Sequence, residues 1–145
     1  MDRSVENRRA IFDCTSGKCH ICYKMLAFSN YSRFESRGAW EIDHSNARAK
    51  GGTDHRNNLR AACISCNRSK QVVSAQAARR DAGFRRPPLS VEQRRKVKIR
   101  AVLGAAGVGA ALGAKLAGLP GFWFGGLIGA LFGDDHNPDA AARRS

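Results

Sequence analysis

Two Cys-x-x-Cys pairs, separated by about 40 residues, constrain this chain more than any other feature. They are Cys19/Cys22 and Cys63/Cys66. Paired thiolates from two distant segments can complete a tetrahedral zinc site, and this spacing favours zinc over a disulfide framework. A unit of about 70 residues buries little apolar surface and often needs a metal. We therefore expect a structural Zn²⁺ that closes the intervening loop, against the alternatives of free buried cysteines or a zinc ribbon that only binds partners.

The segment between the pairs contains an Asp-His step, Asp43-His44, at the end of a short alternating run that predicts a strand. A hard divalent cation prefers carboxylate and carbonyl oxygens, so Asp43 suits a metal ligand. His44 could take a proton from water. A nearby cation would then stabilise the charge that develops when a phosphodiester is cleaved. By itself this pair is a weak signal, because many such histidines only hydrogen-bond a neighbouring turn.

The combined pattern is more specific. After Cys19-His20-Ile21-Cys22 come Ile42-Asp43-His44, Arg48, Lys50-Gly51-Gly52-Thr53-Asp54, Asn58-Leu59 and Cys63-Ile64-Ser65-Cys66-Asn67-Arg68-Ser69-Lys70. This string resembles the HNH endonucleases of the zinc-containing type over about residues 14–72. The resemblance implies an α+β fold of the ββα-metal kind, in which a β-hairpin and a helix clasp one divalent ion.

The resemblance also implies a role for each matching residue. His44 would be the general base and Asn58 the residue that orients the base or its loop. Asp43 and Asn67 would bind a catalytic divalent ion such as Mg²⁺, with asparagine at a position where the family often has histidine. Phosphate contacts would come from three cations, with ordinary solvated charge as the alternative: Arg48, Arg68 and Lys70. The pattern leaves Glu41 without a role and indicates that His20 is a bystander.

The formal charge of +13 is concentrated in the first two thirds of the chain. Residues 1–70 carry 13 Lys/Arg against 7 Asp/Glu, and residues 71–100 carry 9 against 2. Such basicity favours a polyanion, either nucleic acid or acidic lipid. We divide the chain into a nuclease-like domain over 1–78, a basic linker over 79–100, a hydrophobic segment over 101–133 and a polar tail over 134–145. A helix is expected from about Ser65 to Ala78, and Ser90 could cap another.

Within the hydrophobic segment 101–133, Lys115 is the only charged residue, and glycine recurs every fourth position from Gly121 to Gly133. This periodicity resembles glycine-zipper membrane segments, in which small residues let helices approach closely. We expect a helical hairpin that bends near Pro120, contacts membrane lipid and could self-associate into a homo-oligomer. A buried helical pair or a disordered tail are the alternatives. The positive charge before Ala101 predicts a bacterial inner-membrane location with the first domain in the cytoplasm; a soluble cytoplasmic protein is the alternative.

Together these features predict a metal-dependent DNA endonuclease, tethered to the membrane and acting on incoming phage or plasmid DNA. The N-terminus lacks the apolar stretch of a signal peptide, so the thiols should stay in a reducing compartment. A non-catalytic zinc module that binds DNA or protein at the membrane is the main alternative. A secreted toxin is a further one, which the N-terminal position of the motif disfavours.

Overall fold

The computed structural model describes residues 4–106 and, beyond them, residues 108, 111, 115, 127, 139, 142 and 143. These residues divide into two units, one reaching from Ser4 to Val91 together with the described residues from Asp139 onward, and one that begins at Glu92. The first unit contains every residue predicted for the site. It continues to Val91, beyond residue 78, the predicted end of the nuclease-like domain.

The first unit is built on a two-stranded antiparallel hairpin flanked by helices. Its elements are helix α1 (Val5–Asp13), strand β1 (Trp40–His44), strand β2 (Leu59–Cys63), helix α2 (Ile64–Lys70) and helix α3 (Ala75–Asp81). The strand register pairs Trp40 with Cys63 and His44 with Leu59. The free end of the hairpin, where the two strands are not connected, thus lies at Trp40 and Cys63. The loop that connects the strands follows His44 at the other end. This mixed α/β arrangement is consistent with the ββα domain predicted from the sequence.

A small aromatic and aliphatic core lies between α1 and the hairpin. Trp40 is fully buried, and its ring lies 5.1 Å from that of Phe12 and 4.9 Å from that of Tyr31, measured between centroids. Leu59 and Ala61 of β2 are also buried. Because side chains alternate along a strand, Trp40 and Ile42 face this core while Glu41 lies on the other face. Trp40 therefore serves packing.

The helix expected from Ser65 to Ala78 is two helices. Helix α2 ends at Lys70, and Gln71 adopts a positive φ of 46° that an α-helix cannot continue through. Helix α3 then starts afresh, with the Ser74 hydroxyl accepting a hydrogen bond from the backbone N–H of Ala77. The break directs α3 back across the unit, which brings Arg79 to the buried ring of His20.

The segment after α3 packs onto the same unit. Phe84 stacks on Tyr23 with 4.1 Å between ring centroids, and the Tyr23 hydroxyl donates to the Arg86 carbonyl at 2.8 Å. The Ser16 hydroxyl donates to the Leu89 carbonyl, also at 2.8 Å. These contacts use the uncharged parts of the segment, which is why its high charge did not reveal them.

The predicted hydrophobic hairpin lies largely outside the described residues. Residues 91–106 are helical, as expected from the cap signal at Ser90, and the four isolated described residues between 108 and 127 are helical too. The four-residue glycine repeat from Gly121 to Gly133 lies outside the described part of the chain. Among the described residues, no helix combines the length and the apolar character needed to cross a bilayer.

Candidate metal and nuclease site

The four cysteines of the two Cys-x-x-Cys pairs converge at the free end of the hairpin. Their sulfur atoms all lie within 4.8 Å of one another, and Cys22 Sγ lies 3.8 Å from Cys63 Sγ. A disulfide would require about 2.05 Å, whereas zinc–sulfur bonds of about 2.3 Å place two tetrahedral ligands about 3.8 Å apart. Within the described part of the chain, this is the group of histidines, cysteines and acids that is close enough to hold an ion. The predicted four-cysteine cluster is confirmed, and its geometry fits zinc.

The protonation of the thiols reflects their crowding. A hydrogen bond from Cys19 lowers the pKa of Cys22 to about 7, and hydrogen bonds from Cys19 and Cys22 hold the pKa of Cys63 well below the usual thiol range. The pKa values of Cys19 and Cys66 are raised, chiefly by the same contacts. The charged form is therefore favoured at Cys22 and Cys63 and disfavoured at Cys19 and Cys66. Zinc, which binds thiolates, would draw the remaining protons off.

His44 lies at the far end of β1, where the strand enters the connecting loop. Its Nε2 lies 2.8 Å from Asp54 Oδ1, and the other oxygen of Asp54 accepts from Arg48 at 3.0 Å. The hydrogen bond from His44 lowers the pKa of Asp54, so this carboxylate is ionised and can only accept. The proton of a neutral His44 ring consequently sits on Nε2, which leaves the lone pair on Nδ1. Asp54 belongs to the Lys50–Asp54 stretch of the motif, from which this function was not predicted.

The loop between the strands is held in shape by Asn58. Its side-chain oxygen accepts from the Asn46 backbone N–H at 2.7 Å, and its amide donates to the carbonyls of Asn46 at 3.0 Å and Thr53 at 2.9 Å. Gly52 passes so close to Asn46 that a Cβ would lie 1.9 Å from its carbonyl oxygen. Only glycine fits at position 52, and the neighbouring Gly51 has a φ of 80°, a left-handed conformation that favours glycine. The loop that carries Asp54 to His44 is therefore fixed by local contacts.

Asn67 of helix α2 is hydrogen-bonded to Glu41 of strand β1. Its Nδ2 donates to Glu41 Oε2 at 2.8 Å. Because the carboxylate can only accept, this contact fixes the amide with Oδ1 as the end that remains for a cation. One pocket contains side chains of both strand and helix, among them Glu41, His44, Arg48 and Asn67, together with Tyr31 and Ser32. Glu41, which the sequence pattern left without a role, therefore belongs to the site.

Asp43 lies on the same face of β1 as Glu41 and is buried. Its Oδ2 is 2.7 Å from His20 Nε2, and its Oδ1 is 3.2 Å from Lys70 Nζ. Each carboxylate oxygen thus has one interior partner, and a cation would have to use the lone pairs that these contacts leave. Burial lowers the pKa of His20, whose ring is fully buried. His20 was expected to be a bystander and instead contacts Asp43; no feature of the Cys-His-Ile-Cys string signals this.

The three cations expected to contact phosphate lie in different environments. Arg48 is exposed at the rim of the pocket, and Arg68 is exposed over the ring of Phe34 at 4.9 Å, with Glu41 at 3.5 Å. Lys70 differs from the expectation, because its side chain is only 2% exposed. Its ammonium group donates to the carbonyls of His44 and Val73 at 3.0 and 3.3 Å. Buried Lys70 thus links α2 to β1 through its hydrogen bond to the His44 carbonyl. Arg48 and Arg68, in contrast, have the exposure that a phosphate contact requires.

Comparison with known proteins agrees with this arrangement over part of the chain. Residues 19–72 match the family model described as HNH endonuclease. No curated protein and no solved structure gives a significant match. The matched range contains both strands, α2, the four cysteines, His44, Asn58 and Asn67. Residues 19–72 of this chain are therefore similar to HNH endonucleases, a family of nucleases that generally act on DNA.

Proposed function

We propose that this protein is a divalent-metal-dependent DNA endonuclease. The observation that carries the proposal is a pocket that is lined by His44, which Asp54 orients, by the Glu41–Asn67 pair and by an exposed arginine, Arg48. A general base, an oxygen-rich place for a hard cation and a phosphate-binding cation are the groups that phosphodiester hydrolysis needs. The family match over residues 19–72 supports the same reaction class.

His44 supplies the base. With Nε2–H donated to Asp54, Nδ1 can accept a proton from water as the water oxygen attacks phosphorus and the bond to the leaving oxygen breaks. Asp54 remains ionised and stabilises the imidazolium that forms. Asn58 keeps the loop of Asp54 in register with His44 through its three hydrogen bonds. Arg48, at the pocket, and Arg68, exposed nearby in the sequence of α2, would contact the phosphates of the DNA backbone.

The residues that would hold the catalytic divalent ion are Asp43 and Asn67. Asn67 fits, because Glu41 occupies its donor end and leaves its carbonyl oxygen. Asp43 would supply a carboxylate from the residue next to His44; it is buried and is not among the residues that line the pocket, so the ion would use the lone pairs that His20 and Lys70 leave on its oxygens. Carboxylate and amide oxygens are the donors that Mg²⁺ prefers. When bound, such an ion would stabilise the negative charge that develops on the leaving oxygen.

Cleavage of supercoiled plasmid by the full chain tests the proposal. With Mg²⁺ or Mn²⁺ we expect conversion to nicked or linear DNA, and with EDTA we expect none. A matched binding assay on the same DNA separates the two leading functions. DNA binding without cleavage under every divalent ion would reject the nuclease and support the alternative of a zinc module.

That alternative is favoured by one observation. Asp43 is buried and paired within the protein, and among the described residues no acidic cluster forms beside His44. A module that only binds would need the cysteines for its fold but would not need His44. Loss of function on replacing His44, in a protein that keeps its zinc, therefore discriminates between the two.

The biological setting rests on the sequence alone. The apolar, glycine-periodic stretch from 101 to 133 and the positive charge before it suggest attachment to the inner face of a bacterial membrane, where the enzyme would act on incoming phage or plasmid DNA. Fractionation of bacteria that express the full chain should recover it with the membranes, and a chain shortened to residues 1–100 should be recovered in the soluble fraction. Recovery of the full chain in the soluble fraction would remove the tether from the proposal.

A further inference from the structure

A buried chain of polar groups runs behind the proposed site. His20 and Asp43 are 0% and 4% exposed, and they meet at 2.7 Å. Burying such groups is unfavourable unless their hydrogen bonds are made. This contact joins the Cys19–Cys22 loop directly to the strand that carries His44. No part of the proposed mechanism above uses His20.

The partners of His20 specify which ring nitrogen carries the proton. Nη1 of Arg79 lies 3.3 Å from Nδ1. A guanidinium group has donors and no acceptor, so Nδ1 must accept and cannot bear a proton. The single proton of the ring is then on Nε2, where it is donated to Asp43. His20 is therefore a neutral donor that orients the Asp43 carboxylate without cancelling its charge.

The other oxygen of Asp43 is held from the opposite side. Lys70 Nζ lies 3.2 Å from Oδ1 and also donates to the His44 carbonyl at 3.0 Å. The carboxylate is thereby fixed at both oxygens, and the same lysine ties it to the backbone of His44. Each oxygen of an ionised carboxylate has two lone pairs and here one interior partner, so the carboxylate retains acceptor capacity for a further cation.

The position of His20 depends in turn on the cysteine cluster. His20 lies between two cysteines of the cluster, and its backbone N–H donates to the Ala61 carbonyl of β2 at 2.9 Å. Closing the four thiolates around one ion would fix the loop that carries the ring. The zinc site would consequently fix the position of the His20 ring, and the ring in turn orients Asp43 of the catalytic site.

We propose that His20 is a positioning residue of the nuclease: it holds the Asp43 carboxylate in the orientation that binds the catalytic ion, and it couples the structural zinc site to that ion. This inference rests on the proposed endonuclease function. Groups that orient the ligands of a metal typically change metal affinity or activity by about 10–100-fold when they are removed. The expected effect lies on the catalytic ion rather than on the zinc.

The test compares His20→Gln with His20→Leu in the full-length, zinc-loaded protein. The amide nitrogen of glutamine can take about the place of Nε2 and donate to Asp43, whereas leucine cannot. We expect the Mn²⁺ concentration for half-maximal plasmid cleavage to rise at least about tenfold in His20→Leu and to stay near the wild-type value in His20→Gln. Thr15→Val, which removes another fully buried polar group whose hydroxyl donates to Phe12, is the control and should not shift it.

Equal Mn²⁺ dependence of His20→Leu and wild type, at equal zinc content, would overturn the positioning role. If His20→Leu loses its zinc, the Arg79→Leu variant tests the positioning role instead. Arg79 is half-buried, and its replacement removes the hydrogen-bond donor to His20 Nδ1. The Mn²⁺ requirement of Arg79→Leu should rise, and an unchanged requirement would overturn the proposal. Absence of cleavage by the wild type would refute the endonuclease itself, a result distinct from either of these.

A second readout does not depend on cleavage. Proton–nitrogen correlation spectra of the histidine rings should show His20 with a proton on Nε2, none on Nδ1, and slow exchange with solvent because the ring is fully buried. The Nε2 proton signal should move in Asp43→Asn and persist in Thr15→Val. A His20 ring protonated on Nδ1 would contradict the arrangement that we propose.

Discussion

Replacing His44 with alanine should reduce plasmid cleavage by about 10²–10⁴-fold, the usual contribution of a positioned general base. The fold should survive, because the His44 side chain is partly exposed and lies outside the hydrophobic core. The zinc content should also be unchanged, since His44 and Cys63 lie at opposite ends of the β1–β2 hairpin. The measurement is a single-turnover cleavage rate with saturating Mg²⁺, accompanied by the circular dichroism spectrum and the zinc stoichiometry.

His55→Ala is the matched control for this experiment. His55 lies in the same loop and is exposed, and its ring accepts a hydrogen bond from the Asn57 backbone N–H at 3.4 Å. The His55→Ala variant should cleave plasmid at close to the wild-type rate. Wild-type cleavage by a folded His44→Ala protein would exclude His44 as the base, and a comparable loss in His55→Ala would mean that the loop, rather than the His44 imidazole, had been disturbed.

The features that the sequence predicts correctly depend on short-range rules. Cysteine spacing is a covalent pattern, and strand alternation sets which side chains share a face, so the cysteine cluster and the strand ending at His44 could both be anticipated. Each of these features is determined within a few residues of its own position, or by a metal that gathers ligands of one type.

The features that the sequence does not predict depend on packing between distant segments. The helix over 65–78 breaks because Gln71 takes a positive φ, a conformation that nothing in its residue type requires. The break brings Arg79 to His20, residues that are far apart in the chain. Lys70 resembles a surface cation in the sequence and is buried only because Asp43 and the carbonyl of His44 meet it. The polar interior behind β1 therefore becomes visible only in three dimensions.

Removing the structural zinc should unfold the first unit. The cluster joins the Cys19 loop to the end of β2 and the start of α2, and Cys19 itself is fully buried in the core. Structural zinc sites contribute about 10–16 kcal/mol in small domains, which equals or exceeds the total stability of about 5–15 kcal/mol that is typical of a folded domain. The core around Trp40 is too small to compensate for that loss. Cys63→Ser should therefore lose its bound zinc and its cooperative thermal transition, and it should lose cleavage as a consequence.

Cys14→Ser provides the control, because Cys14 is an exposed free cysteine that lies outside the cluster. Its zinc content, melting temperature and cleavage should match the wild type. Brief EDTA treatment should stop cleavage reversibly while the zinc-bound fold persists, since four thiolate ligands, two of them buried, release zinc slowly and the catalytic ion would be held by oxygen donors. Restoration of cleavage by Mg²⁺ alone would then assign the two ions to separate roles. A Cys63→Ser protein that still binds one zinc and melts cooperatively would show instead that the hairpin is held together by its own packing.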